Sequence, residues 1–140
     1  MKAWFILALP LLTLVGCTPR VEPISYGTDP CAHCKMIITD ARYGSELVTA
    51  KGKRYKFDSV ECLIDYLLEN ETEIHSLWLT SFTHPSKLVP ADSCFILKSE
   101  AMPSPMGRYL TAFGNSDSVL AYQFNHGGSV LHWKEAQIRF

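Results

Sequence analysis

The segment DSVECLIDYLLEN, residues 58–70, contains the clearest helical pattern in the chain. Its apolar residues recur at the i, i+3, i+4, i+7 and i+8 positions that give an α-helix a single apolar stripe. Asp58 lies just before this run and Glu61 follows three residues later, which predicts a capping box with Asp in place of Ser or Thr. The stripe consists of Val60, Leu63, Ile64, Leu67 and Leu68.

The sequence on either side of this helix predicts strands. ELVTA and KRYKF flank Lys51 and Gly52, which is typical of a hairpin with a glycine in its turn. HSLWLTSF, residues 75–82, is typical of a strand covered on both faces. The order strand, strand, helix, strand forms a ββαβ unit, which we place at residues 31–89.

The second half of the chain repeats this order of elements. The fragments KFDSVECLIDY and AFGNSDSVLAY share a Phe, an Asp-Ser-Val and a Tyr. We therefore predict an α+β fold of two small tandem ββαβ units with mainly antiparallel sheet, the second unit at residues 90–140. Its predicted elements are the strands SCFILKS and GRYLTAF, the helix NSDSVLAYQFNHGG, the strand SVLHW and the short helix KEAQIRF.

The first twenty residues, MKAWFILALPLLTLVGCTPR, have the features of an export signal. Lys2 precedes an apolar run that is shorter than the roughly 20 residues needed to span a bilayer but has the length of a signal-peptide core. The run ends in LVGC, which resembles the bacterial lipobox. We expect a signal peptide at residues 1–16, lipidation of Cys17, and a protein anchored by lipid to a membrane of the cell envelope, facing the periplasm. An ordinary signal peptide with an incidental cysteine is the alternative.

The residues after Cys17 predict a tethered domain that binds no nucleic acid. Three prolines and a glycine without an apolar period favour an extended linker over residues 17–30. The net charge of −1 and the lack of a basic stripe give no footprint for nucleic acid. Four cysteines follow Cys17, and in an oxidising compartment disulfides are their ordinary state.

The segment DPCAHCKMIITD, residues 29–40, concentrates the chemistry of the chain. Cys31 and Cys34 have the spacing of a redox pair, but no apolar strand precedes them, and the following MIITD reads as a short strand where a thioredoxin-like site opens a helix. Zinc prefers four ligands, and the chain offers one Cys-x-x-Cys pair without a closely spaced histidine pair. A passive disulfide between Cys31 and Cys34 remains open.

A soft monovalent metal fits this segment better. Thiolate and thioether donors together select Cu(I), and an extended Cys34-x-Met36 segment would direct both sulfurs to one face. The loop AMPSPMGRYL holds two further methionines. Met102 is typical of a filler of core gaps, whereas Met106, beside a glycine in a proline-punctuated loop, is a candidate third sulfur ligand.

DPCAHCKMIITD, together with KFDSVECLIDYL, MGRYLTAF and the later HGG and Trp, resembles the NosL family of copper-binding lipoproteins that are accessory to nitrous oxide reductase. The resemblance implies one Cu(I) held between two ββαβ units by Cys34, Met36 and Met106. It matches Cys31 to a position that is often cysteine, with a less certain role. It carries over no histidine ligand, so we interpret His33 as a loop residue.

The same resemblance implies a carrier and not an enzyme. We expect a metallochaperone that delivers copper to an ABC-type assembly complex with a periplasmic partner, for maturation of nitrous oxide reductase. We expect no small-molecule substrate. Two other classes stay open: an envelope thiol–disulfide oxidoreductase that uses Cys31 and Cys34, and a structural lipoprotein in which the same pair is an inert clip.

Overall fold

The computed structural model describes residues 19–140, which form two antiparallel sheets and three α-helices. Within this part of the chain no helix has the length and apolar character needed to cross a bilayer. A short 3₁₀ turn, Ala91–Ser93, joins the two halves. The elements are β1 (Ser45–Thr49), β2 (Arg54–Phe57), α1 (Val60–Glu69), β3 (Ile74–Thr80), β4 (Leu88–Pro90), β5 (Phe95–Lys98), β6 (Leu110–Phe113), α2 (Ser116–His126), β7 (Ser129–His132) and α3 (Trp133–Arg139).

The first sheet has the strand order β2-β1-β3-β4, with every pair antiparallel. The predicted hairpin is confirmed: β1 and β2 pair across a turn in which Gly52 has φ +81° and donates its amide proton to the Thr49 carbonyl. A glycine adopts this left-handed conformation without the steric cost of a Cβ atom. The central strand β1 is fully buried, because β2 and β3 flank it.

The N-cap of helix α1 lies one residue later than predicted. Ser59 is the N-cap, and its hydroxyl oxygen accepts a hydrogen bond from the Cys62 amide at 3.3 Å. An N-cap serine typically contributes about 1 kcal/mol to helix stability. The predicted capping box of Asp58 and Glu61 is therefore wrong, and Glu61 is free to contact other parts of the fold.

The second sheet has the strand order β6-β5-β7, with every pair antiparallel. Its strands and helix follow one another along the chain in the same order as those of the first unit. Helix α2 begins after its N-cap Asn115 and ends at Gly127, which has φ +65°. The predicted class of two tandem ββαβ units with mainly antiparallel sheet is confirmed, since β1β2α1β3 and β5β6α2β7 follow one plan. The predicted unit boundaries, 31–89 and 90–140, stay predictions.

The two units share one hydrophobic core. Successive residues of β5 point to opposite faces of the second sheet, so Ile96 joins the shared cluster while Leu97 joins a smaller cluster under α2. A backbone hydrogen bond of 2.8 Å from Phe82 to Ala112 also joins the end of β3 to β6. The fully buried members of the shared cluster include Ile38, Leu47, Phe57, Leu63, Ile64, Leu79, Ile96 and Leu110.

Two predictions for the N-terminal part need correction, and the predicted signal peptide and Cys17 lie outside the described residues. Residues 19–30 form no helix or strand beyond one bridge, but they lie against the first sheet and are no free linker. The Arg54 side chain donates to the Arg20 carbonyl at 2.7 Å, and Ile24 is buried in the shared core. The MIITD segment, residues 36–40, forms no strand, and its only pairing is an isolated bridge from Ile37 to Pro30.

We expect Glu46→Gln to stabilise the protein at pH 8 and to have little effect at pH 4. Glu46 is completely buried in β1, and burial raises the pKa of its carboxyl group. A raised pKa in the folded state gives stability that is complete below the unfolded pKa and is lost as pH rises through the folded pKa. The glutamine keeps a side-chain oxygen that can accept the hydrogen bond from the Glu22 amide, which is 3.0 Å long in the structure. Thermal unfolding at both pH values measures the effect.

The matched control for this experiment is Glu100→Gln, which changes an exposed residue in the same way. Its melting temperature should follow that of the unchanged protein at both pH values. An equal shift for Glu46→Gln at pH 4 and pH 8 would contradict the assignment of a buried ionising group at this position.

Candidate metal centre

The segment that carries Cys31 and Cys34 is a closed loop fixed to the first sheet. The Cys31 amide donates to the Met36 carbonyl at 2.8 Å, and the Lys35 amide donates back to the Cys31 carbonyl at 3.1 Å. The Ala32 amide donates to the carbonyl of Lys56 in β2 at 2.8 Å. These bonds hold the backbone between the two cysteines in one conformation.

Three cysteine sulfurs meet at this loop. The Sγ atoms of Cys31, Cys34 and Cys62 all lie within 4.8 Å of one another. Cys62 comes from the first turn of α1 and is fully buried, Cys31 is 1 % exposed, and Cys34 is half-buried at the loop surface. All three are free thiols, as is the more distant Cys94. The cluster thus joins a local pair to a residue from another element.

The cluster favours negative charge on one sulfur. Hydrogen bonding from the Cys62 thiol lowers the pKa of Cys31 well below its usual range, with help from the backbone amides of Asp58, Cys34 and His33 and against the effect of burial. Burial is the main cause that raises the pKa of Cys34. The same bond to Cys31, with burial, raises the pKa of Cys62. The cluster thus favours the thiolate form at Cys31 over the thiolate forms of Cys34 and Cys62.

Three convergent sulfurs are a donor set for a soft metal ion. A metal about 2.3 Å from each of three sulfurs would hold them about 4 Å apart, which the observed spacing allows. Thiolates select Cu(I) and zinc over hard cations, and a structural zinc site would need a fourth ligand. The arrangement is poor for thiol–disulfide exchange, because Cys31, whose pKa is lowered, is 1 % exposed, whereas reactive cysteines are partly exposed.

The structure brings together some of the sequence-predicted ligands. Cys34 and the less certain Cys31 are in the cluster, but Met36 is 51 % exposed. The argument that placed Cys34 and Met36 on one face of a strand is wrong, because Lys35 between them has φ +66°. Met106 is partly buried against the shared hydrophobic cluster, which includes Cys31. The predicted set of Cys34, Met36 and Met106 stays a prediction.

Sequence reasoning missed Cys62 as a member of the site. Its only local signal is that it lies outside the apolar stripe of α1, on the side of Asp65 and Glu69. In the structure, the cysteine loop packs on this side of the helix. The Nε2 atom of His33 lies 3.6 Å from the Asp65 carboxylate, and its Nδ1 atom lies 3.4 Å from the Glu69 carboxylate. Both imidazole nitrogens thus face carboxylates. The interpretation that His33 is no ligand stays a prediction.

The remaining predicted methionine lies in a different core. Met102 is 6 % exposed and packs with Leu97, Phe113 and Val119 in the smaller cluster under α2. This location agrees with its interpretation as a filler of core gaps.

Comparison with known proteins gives consistent matches. The copper-binding lipoprotein NosL of Stutzerimonas stutzeri is 25 % identical in an alignment that covers 87 % of this chain and 73 % of that protein. The crystal structure of the copper chaperone NosL from Shewanella denitrificans matches with a TM-score of 0.73 at 21 % identity, over 84 % of this chain and 96 % of that one, and so shows the same fold. The NosL family profile matches residues 25–139, and the chain belongs to this family.

Proposed function

We propose that this protein is a copper carrier that binds one Cu(I) as cargo at Cys31, Cys34 and Cys62. The observation that carries the proposal is the convergence of three sulfurs within 4.8 Å of one another. Sulfur donors match the polarizable Cu(I) ion better than any hard cation. The names of the two relatives, a copper-binding lipoprotein and a copper chaperone, support the same cargo.

The site suits a carrier because one ligand is accessible while the others are enclosed. Cys34 lies at the loop surface, and the next residues, Met36 and Ile37, are 51 % and 46 % exposed. A partner thiolate or thioether can approach copper from this side and share it before Cys34 releases it. In this proposal Met36 assists entry and exit, and Met106 adds a thioether from the second unit.

We further propose that the carrier is tethered outside the cytoplasm through lipid on Cys17, in a membrane of the envelope and facing the periplasm. Acyl chains on a terminal cysteine give stable membrane attachment when more than one chain is present. The recipient is the ABC-type assembly complex that matures the copper centres of nitrous oxide reductase. Support for the tether comes from the LVGC sequence and from the lipoprotein among the relatives.

A carrier accounts for the site better than an enzyme does. A dithiol oxidoreductase needs an accessible nucleophilic thiolate, and here the sulfur that favours the thiolate form is the buried Cys31. The third sulfur, from Cys62, has no part in a two-cysteine exchange cycle but completes a set of three cysteine donors for a metal ion.

We expect Cys31→Ser, Cys34→Ser and Cys62→Ser each to abolish high-affinity binding of one Cu(I), because each change removes a thiolate from a three-sulfur site. Native mass spectrometry under anaerobic, reducing conditions counts the bound ions, and X-ray absorption identifies sulfur neighbours. Cys94→Ser is the control: this buried thiol bonds to the Val89 and Pro90 carbonyls and should leave copper binding unchanged.

Two results of that experiment would contradict the proposal. The first is full Cu(I) binding by the Cys62→Ser variant, which would remove α1 from the site. The second is a purified protein that holds zinc and does not exchange it for Cu(I) when both metals are supplied, which would indicate a structural zinc site.

We expect Met106→Leu to weaken Cu(I) binding at least roughly tenfold, because the loss of a ligand should weaken binding no less than the loss of a residue that only supports one. We expect Met36→Leu to slow copper transfer more than it lowers affinity. Competition with a chromophoric Cu(I) chelator measures affinity, and stopped-flow mixing with an acceptor thiol measures transfer. Met102→Leu, the same change in the separate core, is the control. Unchanged affinity of Met106→Leu would exclude the second unit from the site.

Delivery can be tested in a bacterium that reduces nitrous oxide and lacks its own NosL-type lipoprotein. Expression of this chain should restore copper to its nitrous oxide reductase, and the Cys34→Ser variant should not, since it carries no copper. Metal analysis of the purified reductase gives the readout. Equal restoration by both chains would show that any support of the reductase is independent of this metal centre.

A further inference from the structure

The loop that carries Met106 is fastened to α1 at two points. The Ser104 hydroxyl donates a hydrogen bond to the Oε1 atom of Glu61. The Leu110 amide, at the start of β6, donates to the same oxygen at 3.2 Å. Ser104 and Leu110 flank Met106, so a single carboxyl oxygen of Glu61 holds both ends of the segment that contains it.

The loop is also tightly folded around Ser104. The Gly107 amide donates to the Ser104 carbonyl at 3.1 Å, and the Tyr109 amide donates to the Ser104 hydroxyl oxygen at 2.9 Å. Gly107 adopts φ +76° at no steric cost, whereas the φ of +64° at Tyr109 is a conformation that a non-glycine residue keeps only where surrounding contacts enforce it. These contacts hold the segment in one compact conformation, and Glu61 accepts a hydrogen bond from each of its ends.

A second contact ties the same loop to α1 one turn further along. The Arg108 guanidinium donates to the Asp65 carboxylate. Asp65 also lies 3.6 Å from His33, which is part of the cysteine loop. Helix α1 therefore contacts both loops that carry predicted ligands, and Cys62 lies on the same helix next to Glu61.

Glu61 is a costly residue at this position. It is completely buried, and its Oε2 atom has no hydrogen-bond partner among residues 19–140. An unpaired polar atom in the interior destabilises the folded state, and apolar residues of similar volume often stabilise such sites. Stability alone does not explain a carboxyl group here, whereas its two donors from the Met106 loop do.

We propose that Glu61 is a positioning residue that holds the Met106 loop against the cysteine cluster, so that the Met106 sulfur reaches copper bound there. This inference rests on the proposed copper function and adds a residue to it that touches no metal. Glu61 acts through Ser104 and Leu110, and its effect on copper passes entirely through Met106.

A double-mutant cycle on the full-length chain tests this route. We expect Glu61→Ala to weaken Cu(I) binding by about tenfold, the lower end of the usual effect of losing a residue that supports a metal ligand, and by no more than Met106→Leu does. In a Met106→Leu background the same change should have no further effect, because the thioether is already gone. Competition with a chromophoric Cu(I) chelator gives the four affinities.

Three further measurements separate positioning from a general structural role. Glu61→Gln keeps an oxygen acceptor for both donors and should retain affinity close to that of the unchanged protein. X-ray absorption of copper-loaded Glu61→Ala should show one sulfur neighbour fewer. Thermal unfolding without copper shows that each variant is folded.

If Glu61→Ala does not fold, the double-mutant cycle can be repeated with Ser104→Ala. This change removes the hydroxyl group that donates a hydrogen bond to Glu61. Its matched control is Ser99→Ala, which changes the serine directly after β5. The Ser99 hydroxyl donates its hydrogen bond to the His126 carbonyl and not to α1. Ser99→Ala should leave Cu(I) affinity unchanged.

The inference and the proposed function fail in different ways. Additive losses for Glu61→Ala and Met106→Leu, or an unaltered sulfur count in the single variant, overturn the positioning role while copper binding by the unchanged protein stands. An unchanged affinity of Met106→Leu also overturns it, since no ligand is left to position. A full-length protein that takes up no Cu(I) overturns the proposed function itself.

Discussion

The first turn of α1 is the constraint on which the rest of the structure depends. Its three leading residues serve three purposes: Val60 enters the shared core, Glu61 accepts hydrogen bonds from the second unit, and Cys62 joins the sulfur cluster. The N-cap Ser59 fixes where this turn starts. A start one residue earlier or later would rotate each side chain by about 100° around the axis and would separate all three functions.

Local signals account for most of the fold. The glycine in the first hairpin, the glycine at the end of α2 and the first part of the apolar stripe of α1 each act within a few residues, and the structure has all three features. Leu68, at the end of the predicted stripe, is 68 % exposed. The errors arise where distant contacts decide. Ile24 is buried in the shared core, so the segment predicted as a linker lies against the domain. Ile38 is also buried in this core, although the residues around it form no strand.

In the candidate metal centre, too, the sequence indicates what local spacing determines and does not indicate what distant contacts determine. The Cys-x-x-Cys spacing identifies Cys31 and Cys34 because both lie on one loop, but no spacing in the sequence links them to Cys62. Only the packing of the loop against α1 makes that connection. The left-handed Lys35 has no clear sequence signal either, since lysine seldom adopts this conformation. The sequence thus identifies two of the three clustered cysteines, and only the fold reveals the third.

The attachment of residues 19–30 to the first sheet has a consequence for geometry at the membrane. The backbone is fixed to β2 from Arg20 onward. If Cys17 carries acyl chains, as proposed, it lies three residues before Arg20 and so at most about 10 Å from it. That short distance would keep the edge of the domain at Arg20 close to the membrane surface. A recipient would then have to approach the domain beside the bilayer.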